Sequence, residues 1–294
     1  MAEARVGVIG GSGFYQMPGL NNVEEVSLQT PYGPPSDTII IGSLAGQRVA
    51  FLPRHGRNHS ILPSELPARA NIYALKQLGV EFLISVSAVG SLREEIAPLD
   101  MATPDQLIDR TRGRISSFFG DGLVAHVSFA EPFCPVLRGL LAGAAQGSGA
   151  RTHSAGTYVV MEGPAFSTRA ESQLHRSWGA DVIGMTALPE AKLAREAEIC
   201  YAVLACVTDY DVWHPAEESV NTALILANLR KNVEVAQDAV RRAVAALPQQ
   251  RSCGCPSALA DALVTPLSSV PEARLRELGA IIGKYLPSQE AVQS

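Results

Sequence analysis

An unbroken apolar run, Ile199–Val207, breaks off into Thr208-Asp209-Tyr210-Asp211. A run of this kind reads as a buried strand, and the polar end of a buried strand is where open α/β sheets place their ligands. Carried on as a strand, the i, i+2 spacing sets Asp209 and Asp211 on one side of the pleat. Two acceptors converging there suit a ligand with an amino group beside a ring nitrogen. On this fragment alone a solvated Asp-Tyr-Asp turn stays equally open.

Three further apolar runs end in donors suited to an anion. Val6-Gly7-Val8-Ile9 passes directly into Gly10-Gly11-Ser12-Gly13. Glycines there let backbone N–H groups approach an anion, and the Ser12 hydroxyl adds a donor. The stretch is not Gly-x-Gly-x-x-Gly, since Gln16 breaks it, and it is neither a Walker loop nor a nucleophile elbow. That argues against a dinucleotide enzyme, an ATPase and an α/β-hydrolase, and leaves a plain tight turn open. Val49-Ala50-Phe51-Leu52 leads into Pro53-Arg54-His55-Gly56-Arg57-Asn58-His59, where Arg54 offers a planar donor fork and His55 a donor beside it. The alternative is a basic surface loop. Phe82–Val86 ends in Ser87-Ala88-Val89-Gly90-Ser91, again hydroxyls and small residues. Three such ends and one pair of carboxylates form a coherent set for a site that takes phosphate and a purine.

Ten motifs in register now carry a resemblance. Gly10-Gly11-Ser12-Gly13, Thr30-Pro31-Tyr32-Gly33-Pro34-Pro35-Ser36-Asp37, Arg54-His55-Gly56-Arg57, Gly90-Ser91-Leu92-Arg93-Glu94-Glu95 and Asp105–Thr111 are followed by Ala130–Pro135, Glu162-Gly163-Pro164, Arg169-Ala170-Glu171-Ser172, Met185-Thr186 with Pro189-Glu190, and Thr208–Asp211. From about residue 5 to about residue 247 the chain resembles the S-methyl-5'-thioadenosine phosphorylases, in the trimeric branch of the purine nucleoside phosphorylases. The resemblance implies an α/β fold, a single domain with a central mixed, twisted β-sheet flanked by helices, over residues 1–294 with a C-terminal extension from about 248. It implies phosphorolysis of S-methyl-5'-thioadenosine, with adenosine as a second substrate, to adenine and the sugar 1-phosphate in purine and methionine salvage.

Residue roles follow from the same resemblance. Phosphate contacts fall on Ser12, Arg54, His55, Ser87, Ala88 and Thr186, with Ser12 and Ser87 standing where most relatives have Thr. Phe166 matches the aromatic that stacks on the base and Ser167 lies beside it. Met185 matches the sugar contact, and Asp209, Tyr210 and Asp211 the purine edge. Thr222 and His126 match the pocket for the 5'-substituent, His126 coming from the neighbouring subunit. A homo-oligomer, a trimer or a dimer of trimers, is therefore expected. Inorganic phosphate is the nucleophile and co-substrate, so no protein nucleophile and no cofactor is expected. Asp209 is the expected catalytic acid, protonating the purine near N7, which asks for a pKa raised by burial and by Asp211.

The remaining features bound these expectations. The 294 residues, 47% hydrophobic and 18% charged, suffice for one large α/β domain or two small ones. A net charge of −5 gives no reason to expect nucleic acid, and no apolar run approaches the roughly eighteen residues of a membrane span. Met1–Arg5 leads straight into a strand, so no signal peptide is expected and a cytoplasmic enzyme is. Cys253-Gly254-Cys255 lacks a second pair at suitable spacing, so no metal site is expected. Cys134, Cys200 and Cys206 read as buried small hydrophobes, with disulfides as the open alternative. Thermophilic archaeal relatives in the resembled family carry a similar Cys-x-Cys and cysteines near the other three positions. His59, His153, His175 and His214 read as surface or core histidines. Apolar spacing predicts helices over Pro67–Leu78, Pro189–Glu198, most of Glu217–Ala246 and Leu275–Tyr285, further strands at Thr157–Met161 and Asp181–Met185, and a loop over Gln249–Leu263.

Three other readings compete. A 6-oxopurine nucleoside phosphorylase would share the fold, with Asn where Asp209 stands. A non-catalytic nucleoside-binding protein would not need Arg54 and His55. A nucleoside hydrolase would need an N-terminal aspartate cluster for a metal, and the chain has none.

Overall fold

The computed structural model describes residues 4–11, 17–214 and 222–287. Its centre is a sheet of parallel strands built from the apolar runs. β1 (Val6–Gly10) lies between β4 (Gln47–Pro53) and β5 (Phe82–Ser91), parallel to both, and β5 is also parallel to β11 (Cys200–Asp209). Every residue of β1 and β11 is buried. That is the signature of a strand covered on both faces, and it is why these sequences read as runs without alternation.

Alternate side chains feed two separate cores. Along β11, Tyr201, Val203, Ala205 and Val207 enter one cluster, with α1 (Ala68–Gln77) and α4 (Ala187–Glu196). Cys200, Ala202, Leu204 and Cys206 enter the other, with α2 (Pro135–Gly147) and α5 (Thr222–Ala245). The molecule is three layers, helix on sheet on helix.

The sheet is mixed at its edges. β3 (Ile39–Leu44) runs antiparallel to β4, and β2 (Asn21–Val26) antiparallel to β3. At the C-terminal end of β5, β10 (Val182–Gly184) pairs antiparallel and continues in parallel through β9 (Thr157–Met161) to β7 (Gln106–Arg110). β6 (Met101–Ala102) and β8 (Thr152–His153) extend the other branch beyond β11. Because β1, β4, β5 and β11 are parallel, Gly10, Pro53, Val86–Gly90 and Asp209 all finish on one edge. Beyond α5 the chain returns to this body. Leu278, Ile281 and Ile282 join the first core, and the Tyr73 hydroxyl donates to Glu277 O at 2.8 Å. The expected final helix is two short ones, α6 (Glu272–Glu277) and α7 (Gly279–Ile282), followed by a 3-10 turn. The Gln249–Leu263 loop holds only one 3-10 turn, Cys255–Ser257. The first residues of the Glu217–Ala246 prediction lie outside the described residues.

Candidate active site

The strand ends meet at a cavity of about 430 Å³. Of the residues expected in a site, Arg54, His55, Ser87, Ala88, Phe166, Met185, Thr186, Asp209 and Asp211 line it. Ser12 and the side chain of Thr222 are not among those described. Ser167 is buried next to the cavity, beside Asp211, without lining it.

Arg54 is buried, and its guanidinium ties the strand ends together. Nε donates to Glu190 Oε1 at 2.5 Å, Nη2 to Ser85 Oγ at 2.7 Å and Ile9 O at 3.2 Å, and Nη1 to Val86 O at 3.0 Å. Tyr201 and Ser85 donate their hydroxyls to Glu190 Oε2 at 3.0 and 3.1 Å, so together with Arg54 the carboxylate is held from three elements. The expected phosphate fork is therefore largely committed inside the protein. One Nη1 proton is left for a ligand among the described contacts, and Glu190 balances the charge.

His55 differs from expectation in a related way. Its Nδ1 lies 2.8 Å from Ile61 O, and a carbonyl can only accept, so Nδ1 carries the proton. Burial, and then the Arg54 charge, push its pKa down to about 4. At neutral pH the free nitrogen, Nε2, presents a lone pair in place of the expected donor, suited to the O–H of a protonated phosphate. His59 stacks on the His55 ring with centroids 4.5 Å apart and also lines the cavity. It is a surface histidine, as expected, but one that also reaches the cavity; its place four residues after His55 in one loop was the available signal.

Three hydroxyls gather beside these groups. Ser87 Oγ and Thr186 Oγ1 both face Tyr158 OH, and all three are buried with no well-formed hydrogen bond. Thr186 precedes α4, but Leu188 is non-helical (φ −117°, ψ 139°), which leaves its hydroxyl out of any cap. Buried hydroxyls are rarely left unpaired, so two of them in a cavity wall, with a third behind it, point to a polar ligand. Tyr158 reaches this place only because residue 184 is glycine, since a Cβ there would lie 2.3 Å from its hydroxyl oxygen.

The carboxylate pair forms by a different route from the pleat. β11 ends at Asp209 with a register shift after Val207, and Asp211 has φ +50°. The Asp211 N–H turns back to Asp209 Oδ1 at 2.8 Å, an Asx turn at the strand end. Asp209 Oδ2 lies 2.7 Å from Thr208 Oγ1. Opposite, Gly90 leaves the space, as a Cβ would sit 3.0 Å from Asp209 Oδ1. Burial raises the Asp211 pKa above its ordinary value, against the opposing pull of the Ser172 and Ser167 hydroxyls beside it. Tyr210 turns away: its ring stacks on His214 at 4.7 Å and its hydroxyl lies 3.3 Å from Glu94 O. The purine-edge role expected of it is not one its side chain fills here. Phe166, 44% exposed despite being a large aromatic, offers a flat apolar wall to the cavity.

Hydroxyls, one guanidinium N–H and a neutral histidine share this cavity with two carboxylates and an aromatic ring, a set suited to a phosphate and an amino-bearing heterocycle. The phosphorylase superfamily model matches residues 5–245. Over 98% of this chain and 99% of the relative it is 56% identical to an S-methyl-5'-thioadenosine phosphorylase of Koribacter versatilis, and it is 59% identical to one of Gloeobacter violaceus over 96% of each. The chain belongs to this phosphorylase family. Its fold agrees with the crystal structure of a methylthioadenosine phosphorylase from an antarctic soil metagenomic library (TM-score 0.92, 51% identity, 98% of this chain and 100% of that one). A Schistosoma mansoni methylthioadenosine phosphorylase solved with adenine gives a TM-score of 0.79 at 38% identity, covering 83% of this chain and 91% of that one.

Two expectations concern residues elsewhere in this phosphorylase fold. His126 is exposed and lies outside its own chain's cavity, on a segment whose neighbour Ala125 bridges to Leu263. The reading of the cysteines is corrected: the fold brings Cys134 and Cys200 to Cys253 and Cys255, with all four sulfurs within 4.8 Å of one another. The partners of the Cys-x-Cys are distant in sequence, which is why spacing did not find them. Cys206 alone is a buried small hydrophobe apart from this group.

Proposed function

We propose that the chain catalyses phosphorolysis of S-methyl-5'-thioadenosine, and of adenosine more slowly, giving adenine and the corresponding ribose 1-phosphate. One observation carries the reading: unpaired buried hydroxyls at Ser87 and Thr186 share a cavity with the Asp209–Asp211 pair. Phosphate bound by Ser87, Thr186, Ala88 and the remaining Arg54 N–H attacks C1'. The C1'–N9 bond breaks, its electron pair passes to the purine, and Asp209 delivers a proton to that ring. Separated charge of this kind, positive on the sugar and negative on the base, is what a preorganised anion and a proton donor stabilise. Phe166 covers the base and Met185 the sugar. Phosphate is the only co-substrate this chemistry requires.

His126 supports a shared site. The resemblance assigns it to the 5' pocket, and because it is exposed and absent from its own chain's cavity, that role requires a second copy; we infer a closed oligomer, a trimer or a pair of trimers. Loss of methylthioadenosine should depend strictly on added phosphate, with inosine turned over far more slowly, and the activity should co-elute with the oligomer. Turnover without phosphate, preference for inosine, or an active monomer would each overturn the corresponding part of the reading.

A further inference from the structure

The four-cysteine cluster lies at the opposite end of the sheet from the cavity. Cys200 opens β11 and Asp209 closes it, a separation of about 30 Å at the rise of an extended strand. Each sulfur is placed by a different piece of backbone. Cys134 caps α2, where its Sγ accepts the Leu137 N–H at 3.5 Å, and its own N–H is held by Tyr201 O at 2.8 Å. Cys200 is fixed to the neighbouring strand through its N–H and Glu81 O at 2.9 Å. Cys253 and Cys255 come from the loop after α5, with Cys255 starting the 3-10 turn.

Three of the four are buried, and Cys253 is partly open to solvent. The Cys200 and Cys253 sulfurs stand 3.3 Å apart, and the whole set falls within 4.8 Å. A tetrahedral zinc site with metal–sulfur bonds of about 2.3 Å places its sulfurs about 3.8 Å apart, inside that range. The Leu137 N–H at a helix N-terminus favours a thiolate at Cys134. The donor set is all sulfur, with no carboxylate or imidazole in it, which selects a soft or borderline ion over magnesium or calcium.

We propose that Cys134, Cys200, Cys253 and Cys255 bind one structural zinc ion as a closed tetrathiolate site. Four protein ligands leave no open position for water, so the ion has no part in phosphorolysis. Its role is to staple the loop after α5 to the starts of α2 and β11, adding to the Arg251 Nη1–Glu198 O bond at 2.8 Å and the Cys134 N–H–Tyr201 O bond at 2.8 Å that already join these stretches.

The test uses the full-length protein, purified without chelator. Elemental analysis should find one zinc per chain, released by a thiol-specific mercurial and captured by a colorimetric indicator. Protein produced in cobalt-supplemented minimal medium should show thiolate-to-cobalt charge transfer and the intense visible bands of a tetrahedral site. The Cys134→Ser/Cys200→Ser double variant should lose the metal, while Cys206→Ala, outside the cluster, should keep it. If the double variant does not fold, the cobalt spectrum of the unmutated chain still decides. Metal-free protein in which all thiols react, metal-free protein with thiols freed only by reduction, or metal retained in the double variant would each overturn the proposal.

Discussion

The hydroxyl of Thr208 has one proton and two acceptors in reach, Val89 O at 3.2 Å and Asp209 Oδ2 at 2.7 Å. It donates to Asp209 when that group is ionised. It can turn to Val89 and accept when Asp209 carries a proton, so the neighbourhood accommodates both states of a proton donor. Asn at 209 keeps the bond from the Asp211 N–H and the shape, but it has no proton to give and presents an NH2 to the base. Asp209→Asn should lower kcat/KM for methylthioadenosine by about 100-fold or more, the usual scale for a lost general acid. Preference should shift toward inosine, whose O6 accepts where the amino group of adenine donates. An unchanged ratio between the two substrates would remove Asp209 from base reading. At the other end of the cavity, Ser87→Ala and Thr186→Val remove hydroxyls that are buried and unpaired. Each should raise the KM for phosphate about tenfold, one hydrogen bond to a charged group, without lowering the melting temperature of the ligand-free protein. A drop in melting temperature with no change in KM would show that they serve the fold instead.

At the scale of elements, β11 presents Asp209 because α5 finishes the strand that the sheet does not. The ladder to β5 shifts register after Val207. Asn232 Nδ2 donates to Val207 O at 3.1 Å and Asn228 Nδ2 to Thr208 O at 2.7 Å, the two asparagines one helical turn apart on a buried face. Asn228→Leu should cost about 1–3 kcal/mol by leaving a buried carbonyl unpaired. It should also lower kcat more than KM, since it loosens the residue before Asp209. Equal activity at reduced stability would make Asn228 a fold residue only. The strands and their functional ends were legible because fully buried parallel strands read as apolar runs and stop where the polar chemistry starts. α3 (Arg169–Ser177) was not expected, since apolar spacing passes over it; the capping box of Thr168 and Glu171 is the signal that could have found it. α2 was harder: Gly139, Gly143 and Gly147 dilute its propensity, and only its burial against α5 settles it. Asp209 and Asp211 were read as a pleat pair and are joined by a turn, since local hydrogen bonding took over where the ladder ended. Arg54 was read as a ligand fork because nothing local reveals Glu190, 136 residues away, as its partner.

Across the whole molecule, two buried groups on opposite sides of this logic shape stability against pH. His55 is neutral in the folded protein, its pKa pushed down to about 4 by burial and then by Arg54, against 6.5 in the unfolded chain. Its contribution is complete above pH 6.5 and is lost as pH falls through about 4, because the unfolded state takes up a proton that the folded state refuses. Glu196 runs the other way. Burial pushes it up to about 7 from 4.5, against the opposing hydrogen bonds of Phe118 N–H at 2.7 Å and the Ser117 hydroxyl at 2.8 Å. Its contribution is complete below pH 4.5 and is lost as pH rises through about 7. Between pH 4.5 and 6.5 the two slopes oppose, each worth up to about 3 kcal/mol over its full span. Removing either should expose the other. His55→Gln should become more stable relative to the unmutated chain as pH falls from 6.5 to 4.5. Glu196→Gln, whose amide can still accept from Phe118 N–H and donate to Ser117, should become less stable over the same interval. Urea unfolding midpoints at a series of pH values, taken as differences from the unmutated protein, cancel every other titrating group to first order. Parallel curves for all three proteins would mean that neither residue titrates differently in the folded state.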